Sequence, residues 1–319
     1  MLVSTIICSY NYGKYVGEAI DSVLSQGVTD HEVIVVDNAS TDDTPTVLAR
    51  YRDPRLRIIR AAENCGPGSG MKIGLEAAQG DFLTFLDADD RWRPGKLRRE
   101  LAIMESEPDI GLVFGDIVSF TAAGCQSKTQ FDFAPELRLV PTVPTKYGTA
   151  GRRLIGDCFE ALISCSPIVC WNQAMMVRRS LVKDLTFPAD RRRTPDHYYH
   201  LRMWLRVNAA YIDEPVAERR WHKGNYTYDL VPYLRDYPET LTEFASEAQL
   251  TDSQRAALNR RLGLMSLITG RSYLSARHLM PALKHIVGAL RYPTSRLKAL
   301  LYLVAFPLLF VKLWGKPDA

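Results

Sequence analysis

The chain reads as an α/β protein: a mostly parallel sheet between helices, followed by an all-helical C-terminal region. Three observations predict this. Short apolar runs alternate with segments of helical spacing through the first hundred residues. The runs are apolar at nearly every position, as buried parallel strands must be, since helices cover them on both faces. Beyond about Tyr233 the patterning is helical only.

Taken in order, Leu2–Cys8 is a β-branched-rich strand and Tyr15–Gln26 a helix with Val16, Ala19, Ile20, Val23 and Leu24 on one face. Glu32–Val36 is a second strand, Thr44–Arg52 a helix, Leu56–Ile59 a third strand and Gly70–Ala78 a helix. Phe82–Leu86 is a fourth strand, and Pro94–Glu107 a helix opened by its proline, with Asp90 a candidate cap. Ile110–Phe120 is one long strand or a pair. Cys125–Gly151, rich in Pro, Gly and Thr, is expected to be an irregular loop over the site. Leu154–Ser164 is helical, Trp171–Val177 a strand, Asp196–Val207 a helix, and Ala210–Trp221 a strand broken by Pro215. Two regions follow: a sheet domain over 1–228 and a helical region over 229–319.

The 319 residues suffice for a sizeable core. A hydrophobic share of 46% against 24% charged excludes a disordered chain. The net charge of +4 is unevenly spread: residues 251–319 hold eleven Lys and Arg against two Asp and Glu. Such a basic tail suits an anionic surface. Within it Ala299–Val311 is apolar throughout, bracketed by Arg296, Lys298 and Lys312. At about 1.5 Å per residue it spans about 20 Å, short of the roughly 30 Å hydrocarbon core. An interfacial or re-entrant helix at a membrane surface is therefore expected, with a buried core or oligomer helix and a full span as the other readings, and no nucleic-acid partner is expected. Met1 leads straight into a strand, so no leader segment is expected. The six cysteines form no CxxC pair and read as reduced thiols in a cytoplasmic protein.

Open parallel sheets bind ligands outside the carboxyl ends of their strands. Three polar clusters stand there: Ser9-Tyr10-Asn11, Asp37-Asn38-Ala39-Ser40 and Asp87-Ala88-Asp89-Asp90. Three carboxylates within four residues repel one another unless a cation neutralises them, and hard oxygen ligands suit Mg²⁺ or Mn²⁺. Asp37, alone at a strand end, suits hydrogen bonding to a base or ribose. Asp42 and Asp43 suit turn and cap duty. The glycines of Gly66–Gly74 are not followed by Gly-Lys-Ser/Thr. No Gly-x-Gly-x-x-Gly opens the first turn and no Gly-x-Ser-x-Gly elbow is present, which excludes the common NTPase, dinucleotide-oxidoreductase and serine-hydrolase signatures.

Ser9-Tyr10-Asn11, Val35-Val36-Asp37-Asn38-Ala39-Ser40-Thr41-Asp42 and Phe85-Leu86-Asp87-Ala88-Asp89-Asp90-Arg91-Trp92-Arg93-Pro94 resemble the successive motifs of family 2 glycosyltransferases, with Glu63-Asn64-Cys65-Gly66 and Gly74–Gly80 between them. The resemblance runs over about Leu2–Asn225. It implies a GT-A fold and inverting transfer from a nucleotide-diphospho-sugar, a UDP-sugar foremost. By that resemblance Tyr10 packs on the base, Cys8 and Ser9 line its pocket, Asp37 hydrogen-bonds it, and Asp87 faces the ribose. Asn11, Asn64 and Ala88 belong to the same site. Asp89 ligates the divalent cation. Arg219-Arg220-Trp221-His222-Lys223-Gly224-Asn225 resembles the closing motif, in which His222 approaches metal and diphosphate.

Asp196 opens a helix where the family carries its acceptor-activating carboxylate; alternatively it caps that helix after Pro195. The usual acidic partner is replaced by Arg191-Arg192-Arg193, leaving His197 or Asp190 as other bases. Met71-Lys72 stands where Arg-Asn is usual, and Lys72 still offers a cation to the nucleotide. The resemblance implies a glycan or lipid-linked acceptor at the inner face of a membrane. A nucleotide-sugar-binding protein without catalysis and a sugar nucleotidyltransferase are the competing readings.

Overall fold

The structure, a computed structural model, describes residues 1–166, 168–188, 194–225 and 230–314, leaving out the side chains at 149, 230–233, 235 and 305–314. It falls into two compact units, Met1–Lys223 and Gly224–Ala319.

The first unit begins with the alternation the sequence predicts. Strand β1 (Val3–Ser9), helix α1 (Gly13–Leu24), β2 (His31–Asp37), α2 (Thr44–Leu48), β3 (Leu56–Arg60), α3 (Pro67–Ala77) and β4 (Phe82–Asp87) follow one another. β3, β2, β1 and β4 lie side by side, all parallel, with Ser9 level with Asp37 and Cys8 level with Asp87. Val3, Ile6 and Ile7 of β1 and Val33–Val36 of β2 are fully buried, which is why these strands read as unbroken apolar runs. The buried face of α1 is Val16, Ala19, Ile20 and Val23, as its spacing predicts.

Then come a short β5 (Arg91–Trp92), α4 (Lys96–Ser106), β6 (Ile110–Thr121), β7 (Gly124–Thr129), β8 (Thr142–Thr145), β9 (Gly148–Leu154), α5 (Cys158–Ser164), β10 (Met175–Arg178), α6 (Pro195–Trp204) and β11 (Asn208–Arg220). Beyond β4 the sheet continues as β10, β6, β11, β9 and β8, with β10 antiparallel to both neighbours and β11 parallel to β6. Ile110–Thr121 is thus one strand. Pro215 sits at register shifts of β11, a bulge that spares the ladder a donor it lacks.

Two expectations are corrected. Cys125–Gly151 is not an irregular loop: β7 pairs with β6, and β8 and β9 form a hairpin that ends the sheet beside β11. Pro144 is tolerated because β8 is the edge strand. Nor does Pro94 open α4. Gly95, at φ +80°, precedes the helix, and Asp90 lies before β5, too far upstream to cap it. Lys96 and Glu100, both fully buried on α4, pair at 2.7 Å, with the ammonium also donating to Thr84 Oγ1 and lying over the Trp92 ring.

Two histidines support the first unit while neutral. His31 Nε2 lies 2.7 Å from Thr5 Oγ1, and His200 Nε2 lies 2.9 Å from Asn172 Oδ1. Burial above all pushes each down to about 4. An unfolded histidine takes its proton near pH 6.5, so the contribution of these sites is full above about 6.5 and is lost as pH falls toward 4. The urea midpoint of His31→Gln should accordingly fall less between pH 7 and 4.5 than that of the wild type. Equal falls would show that His31 carries none of the acid sensitivity.

The second unit is helical: α7 (Leu230–Glu247), α8 (Asp252–Ser275), α9 (Leu279–Gly288) and α10 (Pro293–Trp314). Thr251 and Gln254 form a reciprocal capping box at the start of α8. Leu267, Ile286, Ala289 and Ala299 form a core, with Leu290, Tyr302 and Leu303 against it. A Cβ on Gly263 would stand 2.4 Å from Ser295 Oγ, so a glycine lets α8 and α10 approach closely. Among the described residues no helix is long and apolar enough to cross a membrane.

Candidate active site

The three polar clusters converge because β2, β1 and β4 are adjacent and parallel. At the end of β1, Ser9 is fully buried with its Oγ unpartnered, and Tyr10 is exposed. A Cβ on Gly70 would lie 2.3 Å from Cys8 Sγ, so this turn of α3 closes on the strand only as glycine. Burial first, then Asp87 and Asp37, pushes the Cys8 thiol up to about 12, which keeps it protonated.

Asn11, at φ +57°, braces two loops. Its Oδ1 accepts from the backbone NH groups of Thr41 and Asp42, and its own NH donates to Ser40 Oγ. Asp37 is buried, accepts from the Ser40 NH, and has Arg60 Nε 3.8 Å away. Asn64 Oδ1 accepts from Asn38 Nδ2 and the Gly66 NH. Lys72 pairs with Glu76 one turn along its own helix at 3.8 Å. These contacts give Asn11 and Asn64 loop-bracing work and turn Lys72 toward a neighbouring carboxylate.

The turn after β4 holds the densest charge. Burial raises Asp87 to about 7, with Asp89 and then Asp196 adding to the shift. Asp196, in the first turn of α6, therefore stands within electrostatic reach of the cluster although 109 positions separate it from Asp87. Thr194, not Asp196, occupies the cap position of α6. His197 of the same turn is buried, with its ring against Trp171. Asp190 and Arg191-Arg192-Arg193 lie outside the described residues. Ala88, between the two carboxylates in sequence, is buried.

Asp89 Oδ2 lies 3.2 Å from His222 Nε2. The Tyr12 hydroxyl is hydrogen-bonded to Asp89 as well, and its pKa is raised, first by burial and then by the Asp89 charge. Asp90 is a structural member. Its Oδ1 accepts from the Arg220 NH at 2.7 Å and its Oδ2 from Gln173 Nε2 at 2.9 Å, and burial, then Asp89 and Asp87, push its pKa well up.

Arg220 also donates from Nε to the Asp89 carbonyl and from its guanidinium to Glu18. Tyr15 lies between this guanidinium, 4.8 Å from its ring centre, and the His222 ring, also at 4.8 Å. Tyr12, Tyr15 and Glu18 line one face of the first turns of α1 and receive the end of β11. The sequence reading singled out none of the three. Their three-residue spacing beside Asn11 puts them on one face of the helix but does not announce what packs against it.

The donor set suits a divalent cation. Ligands at adjacent corners of an octahedral ion with bonds near 2.1 Å stand about 3 Å apart, and Asp89 Oδ2 and His222 Nε2 stand 3.2 Å apart. Among the described residues no group of three or more His, Cys, Asp or Glu can hold an ion alone. Ions of the Mg²⁺ kind take one or two protein ligands and complete their shell with water and substrate phosphates.

A mixed sheet with carboxylates gathered at the ends of its parallel strands, and a helical unit after it, is the GT-A architecture. The same fold is seen in Staphylococcus aureus TarS residues 1–349 in complex with UDP-GlcNAc, with a TM-score of 0.67 at 19% identity, covering 98% of this chain and 87% of that one. It is also seen in the mannosyltransferase PcManGT from Pyrobaculum calidifontis in complex with GDP-Man and Mn²⁺, with a TM-score of 0.59 at 18% identity, covering 99% and 88%. Residues 4–149, just under half of the chain, match the family model described as glycosyl transferase family 2. A putative teichuronic acid biosynthesis glycosyltransferase, TuaG of Bacillus subtilis, is 40% identical over 105 residues, 32% of this chain and 42% of that protein. The full-length poly(ribitol-phosphate) β-N-acetylglucosaminyltransferase TarS is 25% identical over 263 residues, 80% of this chain. The chain spans 42% of the length of either relative.

Proposed function

We propose that the protein transfers a sugar from a nucleotide-diphospho-sugar, a UDP-sugar foremost, to a hydroxyl of a glycan or lipid-linked acceptor, with inversion, in the synthesis of a cell-envelope polysaccharide or glycolipid. The observation that carries this is the approach of Asp89 and His222 to 3.2 Å inside a buried carboxylate cluster that also feels Asp196. Relatives named for glycosyl transfer in envelope polymers support the acceptor class, and the UDP-GlcNAc and GDP-Man held by the two structural neighbours support the donor class.

Asp89 and His222 would hold Mn²⁺ or Mg²⁺, which when bound supplies positive charge against the leaving diphosphate. Tyr10 offers an exposed ring to the base, Asp37 an acceptor for its NH groups, and Asp87 an acceptor for the ribose. Cys8, Ser9 and Ala88 line the floor. Asn11 and Asn64 hold the surrounding loops, and Lys72 contributes charge at the rim. Asp196 takes the proton of the acceptor hydroxyl while its oxygen bonds to the anomeric carbon and the bond from that carbon to the diphosphate oxygen breaks. One displacement inverts the centre. The inner face of a membrane, reached by the C-terminal tail, is the proposed place of reaction.

A thermal-shift screen of nucleotide sugars with and without Mn²⁺, followed by product analysis, tests this. A single donor family should raise the melting temperature only with Mn²⁺, because a ligand stabilises the state it binds. The released product should be a nucleoside diphosphate. Release of pyrophosphate would make the protein a nucleotidyltransferase. Binding without turnover of any donor, by transfer or hydrolysis, would make it a binding protein.

A further inference from the structure

Helix α10 carries two apolar faces, and among the described residues only one has a protein partner. On the inner face Ser295 and Ala299 are buried, and Tyr302 and Leu303 pack against the core of Leu267, Ile286 and Ala289. On the other face Leu297 is 70% exposed, Leu300 46%, Leu301 60% and Val304 79%. Their spacing, i, i+3, i+4 and i+7, makes one continuous stripe. Arg296 and Lys298, both exposed, stand one residue either side of Leu297. At about 100° of rotation per residue they fall on opposite borders of the stripe.

Four large aliphatic side chains in water on one helix face lose the hydrophobic stabilisation that burial would supply. Scattered exposed leucines are ordinary, but an aligned stripe marks a contact surface. The charge around it selects the occupant. From Ser253 to Pro317 there is no Asp or Glu, and the basic residues there include Lys284, Arg291, Arg296 and Lys298. A stripe bordered on both sides by cations matches an interface whose interior is apolar and whose surface is anionic. Lys and Arg extend their apolar stems along such a boundary and leave their charges among the headgroups. A neutral protein partner would not need the cations, and no helix among the described residues is built to cross the bilayer.

We propose that α10 lies in the plane of an anionic lipid surface, with Leu297, Leu300, Leu301 and Val304 sunk below the headgroups and Arg296 and Lys298 on the lipid phosphates, while its opposite face stays packed in the protein. This deepens the membrane attachment proposed above and is independent of the transferase reading. It assigns the contact to the folded face of the helix rather than to an inserted tail.

The test is co-sedimentation of the full chain with sucrose-loaded vesicles of phosphatidylcholine, with and without phosphatidylglycerol. The wild type should pellet with the anionic vesicles. Leu297→Ser with Leu301→Ser should weaken partitioning by roughly a hundredfold or more, since each leucine loses the favourable transfer of its side chain out of water. Arg296→Gln with Lys298→Gln should remove most of the preference for anionic vesicles. All four positions are exposed, so an unchanged circular dichroism melt is expected and separates lost binding from lost folding. Undiminished pelleting of the leucine variant, or a wild type that stays in the supernatant with both vesicles, would overturn the proposal. So would a wild-type dimer by light scattering that the leucine variant makes monomeric, because the stripe would then be a self-association face.

Discussion

Replacing Asp89 with alanine is expected to abolish Mn²⁺-dependent binding of UDP, a loss of roughly a hundredfold or more in affinity, because even the outer shell of a metal site is worth about 10–100-fold. Asp89 Oδ2 and His222 Nε2 face each other at 3.2 Å, and the Tyr12 hydroxyl is bonded to the same carboxylate. Without that carboxylate the histidine is the only proposed protein ligand left. The fold should survive. Asp90, not Asp89, ties the turn to Gln173 and to the Arg220 backbone. Removing one of three crowded carboxylates also relieves repulsion, so the metal-free variant should melt no lower than the wild type. Calorimetric titration of UDP with and without Mn²⁺ reads the effect, and metal-dependent affinity equal to that of the wild type would sink the ligand assignment.

Asp196→Asn should leave that same titration unchanged and lower turnover by about 10²–10⁴-fold, the usual worth of a positioned general base. The carboxylate stands in the first turn of α6. It does not cap the helix, since Thr194 holds that position. The amide is close to isosteric but cannot take the acceptor proton. Steady-state kinetics with saturating donor separates the two cases: a kcat within a few-fold of the wild type would move the base elsewhere, with His197 the next group to test.

Much of the donor half was legible in the sequence, for a physical reason. Parallel strands buried on both faces are short apolar runs, and side chains at their carboxyl ends must share a crevice, so Ser9, Asp37 and Asp87 came together as expected. Asp90 was misread because a cap is a local motif, whereas its real partners, Gln173 and Arg220, lie 83 and 130 residues away. The β8–β9 hairpin was missed because Pro144, Gly148 and Gly151 are loop residues by composition, and only the edge position and the turn at Gly148 (φ +138°) make them a strand pair. Tyr12 and Tyr15 escaped notice because their contacts come from His222 arriving beside them, which no local pattern announces.

One close approach joins the two halves. Gly68, in the first turn of α3, sits where a Cβ would meet the Pro188 carbonyl oxygen at 2.4 Å and Pro195 Cβ at 3.0 Å. Asp196 is the next residue. The glycine turn of α3 and the start of the helix that carries Asp196 thus meet across a gap of about one hydrogen atom. A lineage changing its acceptor by reshaping α6 must carry the glycine turn with it. A chimera that grafts α6 from a relative should take residues 66–70 from the same parent.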